Sequence, residues 1–176
     1  SAMVWYPPPA IPVAEKCGPL IHFAETQAHN RLAARSLTYA RMRTALSALL
    51  SHQGAFGMAN GVEWFATEKI DVHGAASLNW DCATNQIHAI AKLNALLASH
   101  PAFSTDVHLR LVHISDANAM AVLREPAHAT PHAFALLILI NLDPDHAQTL
   151  AWNTHAFPAG QAWDLLQGEV HTLCGT

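Results

Sequence analysis

The sequence predicts an α+β fold in which two strand–helix units precede an antiparallel β-sandwich. Three observations carry that expectation. Short apolar or glycine-punctuated stretches alternate with two helix-like repeats over roughly the first hundred residues. After Ser104 the apolar spacing changes from helical to alternating. The alternating segments are then separated by turn chemistry such as Asp143-Pro144-Asp145 and Gln167-Gly168. The chain therefore divides into an extended arm (1–18), a strand–helix segment (19–104) and an all-β segment (105–176), with the boundary near Ser104 to Asp106.

The arm contains Pro7-Pro8-Pro9 and Pro12, whose fixed φ and missing N–H disfavour both helix and central strand. Residues 20–24 form a short apolar stretch suited to a buried strand, and Asn30 is a candidate N-cap for the first helix. Over 31–50, Leu32, Ala33, Leu37, Ala40, Leu46 and Leu49 keep helical spacing, which leaves Arg31, Arg35 and Arg43 for a wetter face. The run 54–61, with Gly54, Gly57 and Gly61, reads as a short strand opening a long loop through Trp80. A second helix is expected over 85–99, with Ile87, Ile90, Ala91 and Leu97 on one side and Pro101 ending it. In the all-β segment, strands are expected over 107–111, 119–123 and 134–142, the last apolar on both faces and so central, with a further strand over 149–152. A tight hairpin joins 163–166 to 169–173 through Gln167-Gly168.

Composition excludes several classes of function. With 51% apolar residues in 176, the chain can bury a sizeable core. Lys and Arg total 9 against a net charge of −4, too few cations to neutralise a run of phosphates, so nucleic acid is not expected as a partner. The longest apolar runs, such as 134–140, fall well short of the roughly 20 residues that span a membrane. Cys17, Cys82 and Cys174 are odd in number and widely spaced, which argues against a disulfide framework and for a reducing cytoplasm.

Several segments, in order, resemble the α-amylase superfamily of glycoside hydrolases and glucanotransferases, in the branch of the maltosyltransferases and related glycogen enzymes. Phe23-Ala24-Glu25-Thr26-Gln27-Ala28 is similar to that family's segment at the end of barrel strand seven. Gly54 through Phe65 resembles its Gly-x-Glu segment after strand eight, and Glu68-Lys69 with Leu78-Asn79-Trp80 resembles the loop beyond. Residues 90–103 are similar to the last barrel helix and its exit, 137–143 to the central strand of the closing sandwich, and 164–169 to its late hairpin. The resemblance implies that 19–104 is the C-terminal segment of a (β/α)₈ barrel and 105–176 the sandwich that closes it, within an enzyme acting on α-1,4-glucans or maltooligosaccharides.

The same resemblance limits the chemistry. Retaining glycosidases need two carboxylates about 5 to 5.5 Å apart, and in this family the pair comes from strands four and five. A whole barrel takes about 250 residues, so the nucleophile and the acid/base are expected upstream, and the chain alone is expected to be inactive. The family's third carboxylate belongs to a His-Asp pair whose positions hold Gln27 and Ala28, and a methyl group offers neither charge nor hydrogen bond. A degenerate copy, an engineered substitution and a slip toward His29-Asn30 all account for this; real loss disturbs the flanking matches least.

On the loop after the second strand, Glu63, Trp64, Glu68, Lys69, Asp71, His73 and Trp80 are the candidate sugar contacts, because aromatic rings stack on apolar sugar faces while polar groups fix hydroxyls. Glu63 and Glu68 as a substitute acid/base pair compete with a plain solvated role, and Trp64 and Trp80 with simple packing. Arg35, Arg41 and Arg43 read as a solvated helix face. Thirteen histidines suggest a metal, yet Pro131 breaks the helix that would align His128 with His132, and Asp143, Asp145 and His146 sit in ordinary turn chemistry; no metal and no cofactor is expected. Uncovered sheet edges and apolar helix faces predict a homodimer or association with the remaining barrel portion. A free-standing, non-catalytic carbohydrate-binding or scaffold module built on the sandwich is the competing expectation.

Overall fold

The computed structural model describes residues 21–26, 28–51, 55–70, 74, 77–104, 106–115, 118–128, 134–153, 155 and 157–174. The arm 1–18 lies outside the described residues. The architecture is α+β. Strand β1 (His22–Phe23) pairs in parallel with β2 (Phe56–Gly57), in the register His22 to Phe56 and Phe23 to Gly57. Between them run a 3-10 turn (Leu32–Ala34) and helix α1 (Leu37–Leu49). A long loop leads from β2 to α2 (Ile87–Ser99), and a short α3 (Pro101–Ser104) comes next. Strands β3 (Val107–Ser115), β4 (Ala119–Pro126) and β5 (Leu136–Asn141) form an antiparallel sheet in that order. Strands β6 (Gly160–Asp164) and β7 (Glu169–Leu173) form a separate hairpin.

The first helix starts later than its periodicity suggests. Ser36, not Asn30, is the N-cap: its backbone is extended and its Oγ accepts the Tyr39 N–H at 3.0 Å. The preceding residues are held instead by Glu25, whose carboxylate accepts the Leu32 N–H at 2.7 Å. Arg31, expected on a wet face, is 2% exposed. The stripe that α1 buries is Ala40, Thr44 and Ala48, one residue per turn. Small side chains there allow close approach to β1 and α2, while Leu46 and Leu49 reach the neighbouring sheet. In α2 the buried positions are Ile90 and Leu93, and Ile87 and Ala91 face outward.

Pro101 does more than end α2. The residue before a proline is driven to extended backbone, and His100 sits at φ −89°, ψ 128°. Pro101 then opens α3, where its missing N–H costs nothing, and His100 Nδ1 accepts the Ala102 N–H at 3.2 Å.

In the three-stranded sheet β4, rather than β5, is central, and it is buried on both faces from Ala119 to Arg124. β5 lies at an edge among the described strands, with Leu139 52% exposed. One face of the sheet contributes Met120, Val122, Ile138 and Ile140 to a core completed by Leu46, Leu49 and Leu50 at the end of α1. Residues 149–152 form no strand. The hairpin turn spans four residues, 165–168, because Asp164 Oδ1 accepts the Leu166 and Gln167 N–H groups at 2.8 and 3.0 Å, with Gly168 left-handed at φ 79°. No helix among the described residues is long and apolar enough to cross a membrane.

Arg124 joins the helices to the sheet. Fully buried on β4, it donates from Nε to the Ala102 carbonyl at 2.7 Å and from Nη1 to the carbonyls of Ser51 (2.5 Å) and Leu49 (3.4 Å). Its guanidinium lies 4.2 Å from the centre of the Phe103 ring. Burial pulls its pKa down to about 10, still far above neutrality, so the group remains a cation facing the negative end of α1.

Buried Arg124 and half-buried His100 both have measurable consequences for stability. Arg124→Met keeps the volume but strands several buried carbonyls, and should lower unfolding free energy by about 3 kcal/mol or more, read from urea midpoints. His100 has a depressed pKa, from burial first and the Arg124 charge second. Its folded state therefore binds a proton less readily than the unfolded chain, and its contribution, complete above about pH 6.5, is lost as pH falls through the lower folded value. His100→Asn, which keeps a capping acceptor without a charge, should flatten that part of the acid limb in thermal melts at successive pH values.

Candidate functional site

The loops leaving two parallel strands emerge at the same end of the sheet, the end where α/β proteins place their ligands. Here these are the segment after β1, residues 24–31, and the long segment from Met58 to Gln86. A buried ion pair organises the first. Arg31 Nε donates to Glu25 Oε1 at 2.6 Å, and the two side chains are 0% and 6% exposed. The pair also reaches the second loop, because Arg31 Nη2 donates to the Asn60 carbonyl at 2.9 Å.

The second loop is tightly self-bonded. Gly61, left-handed at φ 87°, accepts the Ala66 N–H at 2.8 Å and the Trp64 N–H at 3.1 Å. Buried Gln86 donates through Nε2 to the Val62 carbonyl at 2.8 Å, and its own N–H goes to the Glu63 carbonyl at 2.9 Å. Asn79 Nδ2 donates to the Phe65 carbonyl at 2.9 Å, closing the far side of the loop on the near side. Phe65, Leu78, Asn79 and Asp81 all adopt positive φ. Asn79 and Asp81 tolerate that conformation, whereas Phe65 and Leu78 adopt it only where surroundings enforce it, and such strained residues concentrate at functional sites. Val62, Phe65, Ala66 and Leu78 supply the enforcement by burial beneath the loop. Arg41, expected as part of a solvated face, rests its guanidinium 5.2 Å from the Phe65 ring centre.

This framework brings Trp64 and Trp80 together, with ring centres 6.3 Å apart and planes tilted by 50°. Trp64 is half-buried, whereas Trp80 is 59% exposed and presents ring surface to solvent. Glu63 is half-buried beside Trp64, and Glu68 and Lys69 are exposed farther along the loop. Asp71 and His73 lie outside the described residues, as does Gln27. Ala28 sits exposed in a turn closed by the His29 N–H to the Thr26 carbonyl at 3.3 Å, next to a Thr26 Oγ1 to His29 Nδ1 contact of 2.6 Å. The cleft at the strand ends, with Glu25, Thr44, Met58 and Val62 in its walls, is too narrow to admit water.

Glu25 and Arg31 were not singled out as site residues from sequence. The available signal was their charge: few residues of this chain are charged, and these two flank the turn after the first strand. Elsewhere, Asp143 is occupied by its own turn, accepting the Asp145 and His146 N–H groups at Oδ1 (2.9 and 3.2 Å), and these bonds hold its carboxyl below the usual carboxylate range. His128 is exposed and His132 lies outside the described residues. Among the described residues no group of three or more His, Cys, Asp or Glu side chains is disposed to hold a metal ion.

Compared with known proteins, the sequence matches no protein-family model and no curated protein.

Gly61 is the most sensitive point of the loop. A Cβ there would lie 2.7 Å from the Ala66 Cβ and 3.2 Å from the Leu78 Cβ, at a φ that side chains disfavour. Gly61→Ala should cost about 1 to 3 kcal/mol in denaturant titrations and loosen the Trp64 to Trp80 approach, visible as a shift in tryptophan emission.

Proposed function

We propose that this chain presents a sugar-contacting surface of an α-glucan-acting enzyme related to the α-amylase superfamily, while the bond-breaking carboxylates come from other strands. In this reading β1, α1, β2 and α2 are two strand–helix units of a (β/α)₈ barrel, and the sheets β3–β5 and β6–β7 form a closing sandwich. The observation that carries it is the Trp64–Trp80 pair, with Trp80 59% exposed on the loop at the C-terminal end of a parallel strand pair. A rigid exposed indole stacks on the apolar face of a glucose ring at little entropic cost. Glu63, Glu68 and Lys69 stand on the same loop to meet hydroxyls. Ala28, exposed where the family carries its third carboxylate, fits a chain that binds without cleaving.

A two-stranded parallel ribbon with two residues per strand is not stable alone. Ile21 and Phe23 beside it are mostly exposed, which supports association with a further barrel portion or a second copy. Exposed, unpaired Cys82 and Cys174 fit a reducing cytoplasm.

A second surface has its own observation. On the hairpin, Trp163 is 63% exposed opposite Val170, the platform that a free-standing carbohydrate-binding module would use.

Calorimetric titration with maltoheptaose separates the two. Trp80→Ala should weaken binding by about tenfold or more, with Trp163→Ala unchanged. The reverse pattern would transfer the function to the hairpin, and absence of binding by the unaltered chain would remove the sugar reading altogether.

A further inference from the structure

We propose that Arg31 and Glu25 are positioning residues for the Trp64–Trp80 surface, a buried latch that sets the loop after β2 against the loop after β1. The proposal rests on the sugar-surface reading for its purpose, but its geometry stands independently. The guanidinium is a fork: Nε is held by Glu25 Oε1 at 2.6 Å and Nη2 holds the Asn60 carbonyl at 2.9 Å, across 29 positions of sequence. Glu25 is fixed in turn, since its Oε2 accepts the Leu32 N–H at 2.7 Å. Both carboxylate oxygens are therefore committed, one to the latch and one to the backbone after β1.

From Asn60 the connection to each indole is short. The next residue, Gly61, accepts the Trp64 N–H. A Cβ built on Gly61 would lie 3.4 Å from Arg31 Nη2 and 3.2 Å from the Leu78 Cβ, so backbone, guanidinium and the residue two before Trp80 converge at one point. A change in where Arg31 holds Asn60 thus moves the base of both rings.

The chemistry argues for placement over plain stability. Arg31 Nη1 is buried with no hydrogen-bond partner among the described residues, so its other two nitrogens carry the latch. An apolar pair of similar volume often stabilises as well as a buried ion pair does, but it offers no directed donor to Asn60. A lysine ammonium lacks the fixed planar fork and cannot reproduce both directions at once.

The test uses the full chain and two readouts. The first is the exciton couplet that the tilted Trp64–Trp80 pair gives in circular dichroism, assigned as the band that Trp80→Phe removes; the second is maltoheptaose calorimetry. The combined Glu25→Met and Arg31→Met variant removes both charges together. It should unfold cooperatively and keep the parental helix and strand content, yet lose the couplet and bind about tenfold or more weakly. Arg31→Lys should recover only part of the couplet. A couplet of parental size in both variants overturns the latch, whatever the sugar result. If the parent binds no maltoheptaose while the couplet still vanishes in the double variant, the latch stands and the sugar reading falls. Should the double variant fail to fold, Glu25→Gln decides: faster hydrogen exchange at the Trp64 and Ala66 amides supports the latch, and parental rates overturn it.

Discussion

A buried cation at the junction of helices and sheet fixes how the two layers meet. Arg124 projects from the central strand β4 into the junction where α1 ends and α3 begins, and gathers the carbonyls of Leu49, Ser51 and Ala102. The last carbonyls of a helix have no partner within it, and here they are buried where water cannot serve them. Ser51, wholly buried, turns its hydroxyl back onto the Ala48 carbonyl at 2.6 Å, leaving its own carbonyl for the guanidinium. Because the anchor is polar and directional, it specifies the angle at which helix meets sheet, which the surrounding Leu50, Met120, Val122, Ile138 and Ile140 do not.

The opposite end of the strand–helix layer uses the same solution with another arginine. Arg31 binds Glu25 and the Asn60 carbonyl, so that both turns leaving the parallel strands are tied by one planar group. Between the two arginines the packing is made with small residues. Ala40, Thr44 and Ala48 line the buried side of α1, which brings the helix close enough for Gln86 to reach Thr44 and Val62 from the start of α2. The described residues of the 58–86 loop are thus held by side-chain amides and a guanidinium closing on backbone carbonyls.

Much of this architecture was legible from residue spacing. Two helices, the strand between them, the change to alternating spacing after Ser104 and the final hairpin all arise from local periodicity and turn chemistry. Pairing choices did not. Residues 134–142 are more uniformly apolar than 119–126, yet β4 occupies the centre, because an interior arginine and a proline at a strand's end conceal how deeply its backbone is covered. Arg31 read as solvent-facing because charge normally implies water, and its partner Glu25 belongs to a different element. Pro101 read as a stop, although the same ring geometry that ends one helix begins the next.

By itself, the sequence determined most of the helices and strands and showed which loop gathers aromatic and charged residues. Those properties arise from neighbours along the chain. Only the tertiary structure decided that Trp64 and Trp80 share a surface while Glu25 and Arg31 lie beneath it. The reason is physical: Arg31 contacts a carbonyl 29 positions away and Arg124 one 73 positions away, and whether a charged group is wet or buried depends on what other elements bring to it.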